Sequence, residues 1–301
     1  MRLAVVTCAL AAVAACVVIP ARATFRGSNG LLVYQAQVGE HTQLFTIRPD
    51  GSGERKVTNW TDSDAINAEW SPNGRTIAFV RHWTKPREKF ITYVMNADGS
   101  GLRALDRTLR GDLALAWLPD GKHLLTVRAL RFVVADAFAG GARDAGIPGL
   151  AGSPCVLPDG KRVALLVARR GGAEQAIFAG RIGGGPGSLV RITPWETIVD
   201  KIDCSPDGSR IVFSAPQFGP PQSSNVYTIR IDGTGLRHLT HNRGGRINNG
   251  ADSWSPDGRK IAFVSNRTGA YQIYTANADG TGVAQLTHGQ EAHLASWGSH
   301  P

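Results

Sequence analysis

The sequence predicts an all-β protein, a six-bladed β-propeller of four-stranded antiparallel blades. Three observations predict this fold: 36 glycines among 301 residues without a collagen-like period, a repeat of 39 to 50 residues, and complementary partial repeats at the two chain ends. Short strands joined by glycine-rich turns are typical of all-β architectures. Apolar residues make up 42% of the chain and charged residues 19%, which favours a packed core and excludes global disorder.

A recurring turn marks the repeat. Residues 205–208 and 255–258 both read Ser-Pro-Asp-Gly, and weaker copies stand at 71–74, 118–121 and 157–160. The glycines of these five turns lie 47, 39, 48 and 50 residues apart along the chain. Because propeller blades repeat with a period of about 40 to 50 residues, each copy is predicted to form one blade.

The strands of each predicted blade follow this turn in a fixed order. In the clearest copy, the apolar run 261–264 comes first, 273–275 comes second, Asp-Gly-Thr-Gly follows at 279–282, and a short strand ends at Leu286 and Thr287. Asp-Gly supplies the positive-φ positions of a tight hairpin, so that each copy joins two antiparallel strands. Together with the strand before the turn, these runs predict four strands in each blade.

The chain ends predict a closed ring. Residues 30–34 match the second strand of a repeat with no tryptophan strand before them, and residues 295–298 supply that tryptophan strand. Five complete repeats and these two fragments make six blades, with the C-terminal strand completing the N-terminal blade. Such closure leaves no open sheet edge at the seam. We therefore predict one propeller domain over residues 24–301, with Trp70, Trp117, Trp254 and Trp297 packing between blades.

The first 23 residues predict export. Arg2, an apolar run over 3–19 and the ending Ala21-Arg22-Ala23 are typical of a cleaved signal peptide. The folded part is then expected in the periplasm, in the cell envelope or outside the cell. Two alternatives stay open: Val13-Ala14-Ala15-Cys16 resembles a bacterial lipobox, which predicts a lipoprotein anchored at Cys16, and the run could remain as an uncleaved anchor.

Two cysteines, Cys155 and Cys204, lie beyond this leader. An oxidising compartment permits a disulfide between them. We expect two small buried side chains instead, and leave the disulfide open.

The repeat pattern resembles a known family. Trp-Ser-Pro-Asp-Gly, Ile-Ala-Phe-Val-Ser, Ile-Tyr-Thr, Asp-Gly-Thr-Gly and Leu-Thr, all within residues 250–287, resemble the TolB family of WD40-like propeller repeats, and the resemblance runs from about residue 30 to 297. The third and fourth blades depart from it, with Ala-Gly-Gly at 139–141 and Gly-Gly-Gly at 183–185 in place of Asp-Gly-Thr-Gly. The resemblance implies a TolB-like scaffold, in this chain expected without TolB's N-terminal domain or a hydrolase domain.

The two faces of the predicted disc differ. Ser-Pro-Asp-Gly and Asp-Gly-Thr-Gly turns lie on one side, the short-turn face, and the longer connections lie on the other, the long-loop face. Function tends to collect in variable loops on a rigid scaffold. We predict that the long-loop face binds a protein partner or a cell-envelope polymer through tryptophan and arginine side chains, unless the tryptophans cap their own loops. The candidates are Trp60, Trp83, Arg87, Trp195, Arg243, Arg246 and Arg267.

A metal-dependent propeller enzyme, a lyase or hydrolase, is the alternative. Imidazole and carboxylate groups suit transition metals, and the candidates at the predicted channel mouth are His241, Asp252, His288, Glu291 and His293. Oxygen ligands for Ca²⁺ are offered there by Asp64, Asn67, Asp200, Asp203, Asn248, Asn249, Asp252 and Glu291. The sequence contains no nucleophile elbow, His-Glu-x-x-His helix, Cys-x-x-Cys pair or phosphate loop. This favours a non-catalytic protein without a cofactor.

The formal net charge is +9, carried by 26 arginines and 7 lysines spread over every blade. Export excludes genomic nucleic acid as a partner, whereas attraction to anionic envelope polymers is compatible with this charge. We expect a monomer.

Overall fold

The computed structural model describes residues 26–105, 115–128, 131–147, 151–169, 174–195, 199–216, 223–242 and 246–301. Over these residues the chain forms six four-stranded antiparallel sheets. The predicted fold class, a six-bladed propeller, is therefore confirmed. No helix of the described ranges is long and apolar enough to cross a membrane.

Each blade runs from an inner strand at the channel to an outer strand at the rim. Blade 1 comprises β24 (Ala292–Ser299), β1 (Asn29–Val38), β2 (His41–Ile47) and β3 (Arg55–Lys56), and blade 2 comprises β4 (Asp64–Trp70), β5 (Thr76–Trp83), β6 (Lys89–Asn96) and β7 (Arg103–Ala104). Blade 3 comprises β8 (Ala116–Trp117), β9 (His123–Arg128), β10 (Arg131–Asp136) and β11 (Ala142–Asp144), and blade 4 comprises β12 (Ala151–Val156), β13 (Arg162–Ala168), β14 (Gln175–Arg181) and β15 (Val190–Arg191). Blade 5 comprises β16 (Val199–Cys204), β17 (Arg210–Pro216), β18 (Ser224–Arg230) and β19 (Arg237–His238), and blade 6 comprises β20 (Asn249–Trp254), β21 (Lys260–Ser265), β22 (Gln272–Asn277) and β23 (Ala284–Gln285). A 3-10 helix (Pro186–Ser188) follows the three glycines of blade 4.

The C-terminal strand closes the ring as predicted. β24 pairs with β1 in antiparallel register, with Trp297 opposite Leu32 and Ser296 opposite Val33. The seam is also fixed on both sides, since Ser299 Oγ donates to the Pro72 carbonyl of blade 2 at 2.7 Å and Asn29 Nδ2 donates to Asp257 of blade 6 at 3.1 Å. The chain ends thus share one sheet.

Apolar side chains pack between successive blades. Six buried clusters each join residues of two neighbouring blades, and one of them places Trp297 of blade 1 against Val264 and Leu286 of blade 6. The repeat-position tryptophans Trp70, Trp117, Trp254 and Trp297 are all buried in these clusters. Their predicted role as packing residues is confirmed, and the core of the protein is a ring of interfaces between blades.

The Asp-Gly turn of blade 2 packs closely against blade 1. Asp98 Oδ1 accepts a hydrogen bond from the Ser100 amide at 2.9 Å, and Gly99 adopts φ +84°. A Cβ at Gly99 would stand 2.6 Å from the Val57 carbonyl oxygen of the preceding blade. Glycine is therefore required at this position both by the left-handed backbone and by the close approach of the neighbouring chain.

The two cysteines form a disulfide, contrary to the expectation of two free buried side chains. Cys155 of β12 and Cys204 of β16 have Cα atoms 5.7 Å apart, which suits the bond. Both residues lie on inner strands of successive blades. The disulfide therefore links blade 4 to blade 5 covalently.

Candidate functional site

The long-loop face carries a compact cationic and aromatic patch on blade 2. The Arg81 guanidinium lies between two tryptophan rings, with its carbon 4.3 Å from the Trp60 ring centre and 4.5 Å from that of Trp83. Lys89 Nζ lies 5.2 Å from the Trp83 ring on the adjacent strand. We call Trp60, Asp62, Arg81, Trp83 and Lys89 the tryptophan–arginine patch.

Hydrogen bonds fix Arg81 in this position. Its Nε donates to Ser63 Oγ at 2.8 Å, and a terminal nitrogen donates to Asp62 Oδ1 at 2.9 Å. Trp83 Nε1 donates to the other oxygen of Asp62 at 3.2 Å. Hydrogen bonds from Ser63, Trp83 and Arg81 lower the pKa of Asp62, so that this carboxylate stays charged and orients both partners.

The two tryptophans of the patch differ in how their side chains are packed. Trp60 stacks on the buried Phe79 with ring centres 5.7 Å apart and packs against the core between blades 1 and 2. Trp60 therefore also contributes to the packing between blades 1 and 2. Trp83 is half-buried and ends β5, next to the exposed residues 84–89.

A second layer lies behind this patch. Asp64 accepts a hydrogen bond from the Thr42 amide at 2.8 Å and faces His41 Nδ1 at 3.4 Å and His82 Nδ1 at 3.5 Å. The His82 ring stacks on Phe90 with centres 4.2 Å apart. Asp64, predicted as an oxygen ligand for Ca²⁺, is thus engaged by internal partners that hold the patch strands together.

The other predicted binding residues stand on different blades. Trp195 lies on blade 4, beside Phe178 and with the guanidinium carbons of Arg169 and Arg191 each 5.8 Å from its ring centre. Arg267 on blade 6 stacks over Tyr274 and donates to Asn249 Oδ1 at 3.0 Å. Arg246 and Arg87 are exposed, and Arg243 lies outside the described residues.

The predicted metal ligands are dispersed within the described ranges. His241 contacts the His238 ring at 4.3 Å, His293 contacts the Tyr271 ring at 4.9 Å, and His288 and Glu291 are exposed. Asp252 is buried on β20. Over the part of the chain that the structure covers, no group of three or more His, Cys, Asp or Glu residues is arranged to hold a metal ion. The metal site stays a prediction from sequence.

An ion pair crosses the central channel. Lys201 Nζ of blade 5 lies 2.6 Å from Glu69 Oε1 of blade 2, on the opposite side of the ring, and Ser296 Oγ of blade 1 donates to the second Glu69 oxygen at 2.9 Å. Burial lowers the pKa of Lys201, but the nearby carboxylates of Glu69, Asp203 and Asp252 outweigh it and raise the pKa overall. The contact joins opposite walls and narrows the channel at this level.

Asp203 lies beside this ion pair. Its carboxylate accepts hydrogen bonds from the amides of Trp254 at 2.8 Å and Cys204 at 2.9 Å. Burial, with a contribution from Glu69, raises the pKa of Asp203 to about 7 despite the opposing effect of Lys201. This group therefore gains or loses its proton near neutral pH.

The raised pKa of Asp203 predicts a pH-dependent stability difference. The folded protein binds one more proton than the unfolded chain between the unfolded pKa of about 3.9 and the folded value of about 7. The contribution of Asp203 to stability therefore falls as pH rises through this window. In urea unfolding from about pH 5 to 8, the free energy of unfolding of Asp203→Asn should rise relative to that of the wild type as pH rises. The control Asp279→Asn removes an exposed carboxylate with a lowered pKa, and its free energy of unfolding should keep a constant difference from that of the wild type over this range. The same constant difference for Asp203→Asn would contradict the raised pKa of Asp203.

Sequence inspection missed three residues of these sites. Arg81 lies within a strand, and Glu69 and Lys201 come together only across the ring. The signal for Glu69 is its position, since in four blades the residue before the repeat tryptophan or its equivalent lines one internal pocket. Asp203, Ser253 and Ser296 occupy the same position.

The six-bladed fold and its repeats are those of a TolB-like β-propeller. Residues 204–300 match the family model PD40, described as TolB beta propeller domain. The resemblance predicted from the repeat motifs is thereby confirmed.

Solved structures of the same fold agree with this class. TolB from Acinetobacter baumannii superposes with a TM-score of 0.69 at 19% identity, covering 91% of this chain and 67% of that chain. A putative TolB from Agrobacterium tumefaciens gives 0.66 at 17% identity, covering 88% and 92%. An oligogalacturonate lyase in complex with manganese gives 0.53 at 15% identity, covering 87% and 74%. A comparison with proteins of curated function found no match.

Proposed function

We propose that the protein is an exported, non-catalytic propeller scaffold that binds an acidic protein partner through the long-loop face of blade 2. The observation that carries the proposal is the Arg81 guanidinium held between the Trp60 and Trp83 rings. Arginine and tryptophan are among the side chains most enriched at positions that dominate protein interfaces. The similar TolB structures support the scaffold role by fold.

The charge of the neighbouring loop favours an acidic partner. Lys85, Arg87 and Lys89 are exposed on residues 84–89, and Glu88 is the one acidic side chain within that stretch. Asp62 is already engaged by Arg81 and Trp83. The outward charge of the loop is therefore positive, which attracts carboxylate groups and speeds association at low salt.

The stacked arrangement supports binding with little ordering cost. An arginine side chain loses rotamer freedom when it is immobilised at an interface. Arg81 is already fixed by hydrogen bonds to Ser63 and Asp62 and by contact with both rings. Trp83 is held in turn by Asp62. A partner would therefore meet a surface that is preformed in the free protein.

Export is part of the proposal and is supported by sequence. Residues 1–23, with Cys16 of the lipobox-like motif, lie outside the described residues. Their positive start, apolar run and Ala-x-Ala ending support a signal peptide. The disulfide between Cys155 and Cys204 is compatible with an oxidising compartment.

Charge reversal tests the binding face. Arg87→Glu combined with Lys89→Glu changes two exposed side chains, one of them in the patch, and leaves Trp60, Arg81 and Trp83 unchanged. The immobilised wild type and variant would be incubated with solubilised envelope of the source organism, and captured proteins would be quantified by mass spectrometry. We expect acidic proteins that the wild type captures to fall at least tenfold with the variant.

A control is Arg75→Glu, a single charge reversal at an exposed cation of the same blade on the short-turn face. It should leave capture unchanged. Capture that is the same for all three proteins would contradict the proposed face. If binding persists after protease treatment of the envelope fraction, the ligand is an anionic polymer and not a protein.

A further inference from the structure

A pocket of about 450 Å³ opens on the short-turn face, between blades 5 and 6. Its walls include Arg26, Arg210 and Arg237 together with Ser209, Trp254 and Pro256. The Gly27 amide donates to the Pro256 carbonyl at 3.3 Å and holds the N-terminal segment at the rim. This pocket lies on the face opposite the tryptophan–arginine patch, so it is a separate site.

Arg210 is fixed by neutral acceptors. Its Nε and a terminal nitrogen donate to Thr228 Oγ1 at 3.3 and 3.2 Å, and the same terminal nitrogen donates to the Gly235 carbonyl. Burial, followed by repulsion from Arg237 and Arg230, lowers the pKa of Arg210. Several positive charges are thus gathered at one edge of blade 5.

Two acidic residues, Asp207 and Asp257, also line the pocket, and each is held by neutral donors. Asp207 accepts hydrogen bonds from Ser205 Oγ at 2.6 Å and from the Ser209 amide at 2.9 Å. Asp257 accepts from Ser255 Oγ at 2.6 Å and from Asn29. Within the described ranges, neither carboxylate lies within 4 Å of a cationic nitrogen of Arg26, Arg210 or Arg237.

Blades 3 and 4 pair the equivalent cation with the aspartate of the turn. Arg162 of blade 4 lies at the same turn position as Arg210 and contacts Asp159 at 2.6 Å. His123 of blade 3 likewise contacts Asp120 at 2.7 Å. In blade 5 the residue before the arginine is Ser209, whose hydroxyl lies 2.8 Å from both Asp207 oxygens. Ser209 therefore supplies hydrogen bonds to Asp207, and Arg210, which forms no ion pair with Asp207, lines the pocket.

We propose that this pocket binds a compact oxyanion of phosphate or carboxylate type. Guanidinium groups pair with both anions through parallel N–H···O bonds. The three arginines of the lining outnumber its two aspartates, so that an anion in the cavity meets a net positive charge. A volume of about 450 Å³ falls in the range of small-ligand sites and admits an anion that carries an organic group.

Isothermal titration with pyrophosphate and with citrate, at fixed ionic strength near pH 7, tests the site. We expect one saturable site for at least one of the two probes, and the probe that binds assigns the phosphate or the carboxylate class. Arg210→Gln with Arg237→Gln should weaken binding at least tenfold. Arg237→Gln alone, which changes an exposed side chain, should weaken it at least threefold and provides a variant that keeps the Arg210 contacts.

The matched control is Arg55→Gln with Arg162→Gln. These residues hold the same positions on blades 1 and 4, and their removal changes the net charge equally. The control should keep affinity within twofold of the wild type. Absence of saturable binding by both probes, or an equal loss in the control, would overturn the proposal.

Discussion

Replacement of Trp297 by alanine is expected to lower the free energy of unfolding by about 3 to 5 kcal/mol. Trp297 is 2% exposed and packs between blades 6 and 1, against Val264, Ile273 and Leu286. The indole is therefore part of a blade interface, although it lies only four residues from the C-terminus. Guanidinium chloride unfolding, followed by circular dichroism, measures the change.

Trp254→Ala provides the reference for this prediction. Trp254 occupies the same repeat position inside a continuous blade and is also buried. Both substitutions should destabilise the protein to a similar extent. A Trp297→Ala variant that unfolds with the wild type, while Trp254→Ala is destabilised, would mean that the C-terminal strand contributes nothing to the ring.

Loss of the disulfide is expected to produce the second large effect. Cys155 and Cys204 are 49 residues apart in sequence, and the chain-entropy relation gives a stabilisation of about 4 kcal/mol for a loop of this length. Because disulfides commonly contribute about 2 to 4 kcal/mol, Cys155→Ala with Cys204→Ala should lose that amount. Chemical unfolding under non-reducing conditions measures it.

Reductant distinguishes the bond from packing. Both cysteine side chains are buried, so alanine also removes apolar contacts. Unfolding of the wild type in dithiothreitol should approach the midpoint of the double variant, and the variant should not respond to dithiothreitol. A wild type that unfolds identically with and without dithiothreitol would contradict a stabilising disulfide.

The repeat made the fold predictable from sequence. Turn motifs such as 255–258 and 279–282 require backbone conformations that glycine adopts readily, and Gly258 and Gly280 do have positive φ. The fragments at residues 30–34 and 295–298 indicated their pairing because each lacks what the other supplies. Local chemistry and repeat spacing were sufficient for these features.

Contacts across the ring were not predictable in this way. Glu69 and Lys201 are 132 residues apart and meet because blades 2 and 5 are opposite each other. The disulfide depends on two inner strands bringing Cα atoms to 5.7 Å, a distance that spacing alone does not define. Motifs and composition identify each blade, whereas the ion pair and the disulfide depend on where the blades stand relative to one another in the ring.

The candidate site was predicted in part. Loop position identified Trp60 and Trp83 as neighbours of one face, but Arg81 was missed because it stands within β5. The arginine pocket on the short-turn face was also missed, since its residues come from the turns and outer strand of blade 5 and from the N-terminal segment. The packing of blades 5 and 6 is what assembles it.

Hydrogen–deuterium exchange of the C-terminal strand tests ring closure most directly. Peptides covering β24 (residues 292–299) should exchange as slowly as peptides covering β1 (residues 29–38), because the two strands pair in one sheet and open together. Rapid exchange over residues 292–299, with β1 and the other inner strands still protected, would contradict a ring closed by the C-terminal strand.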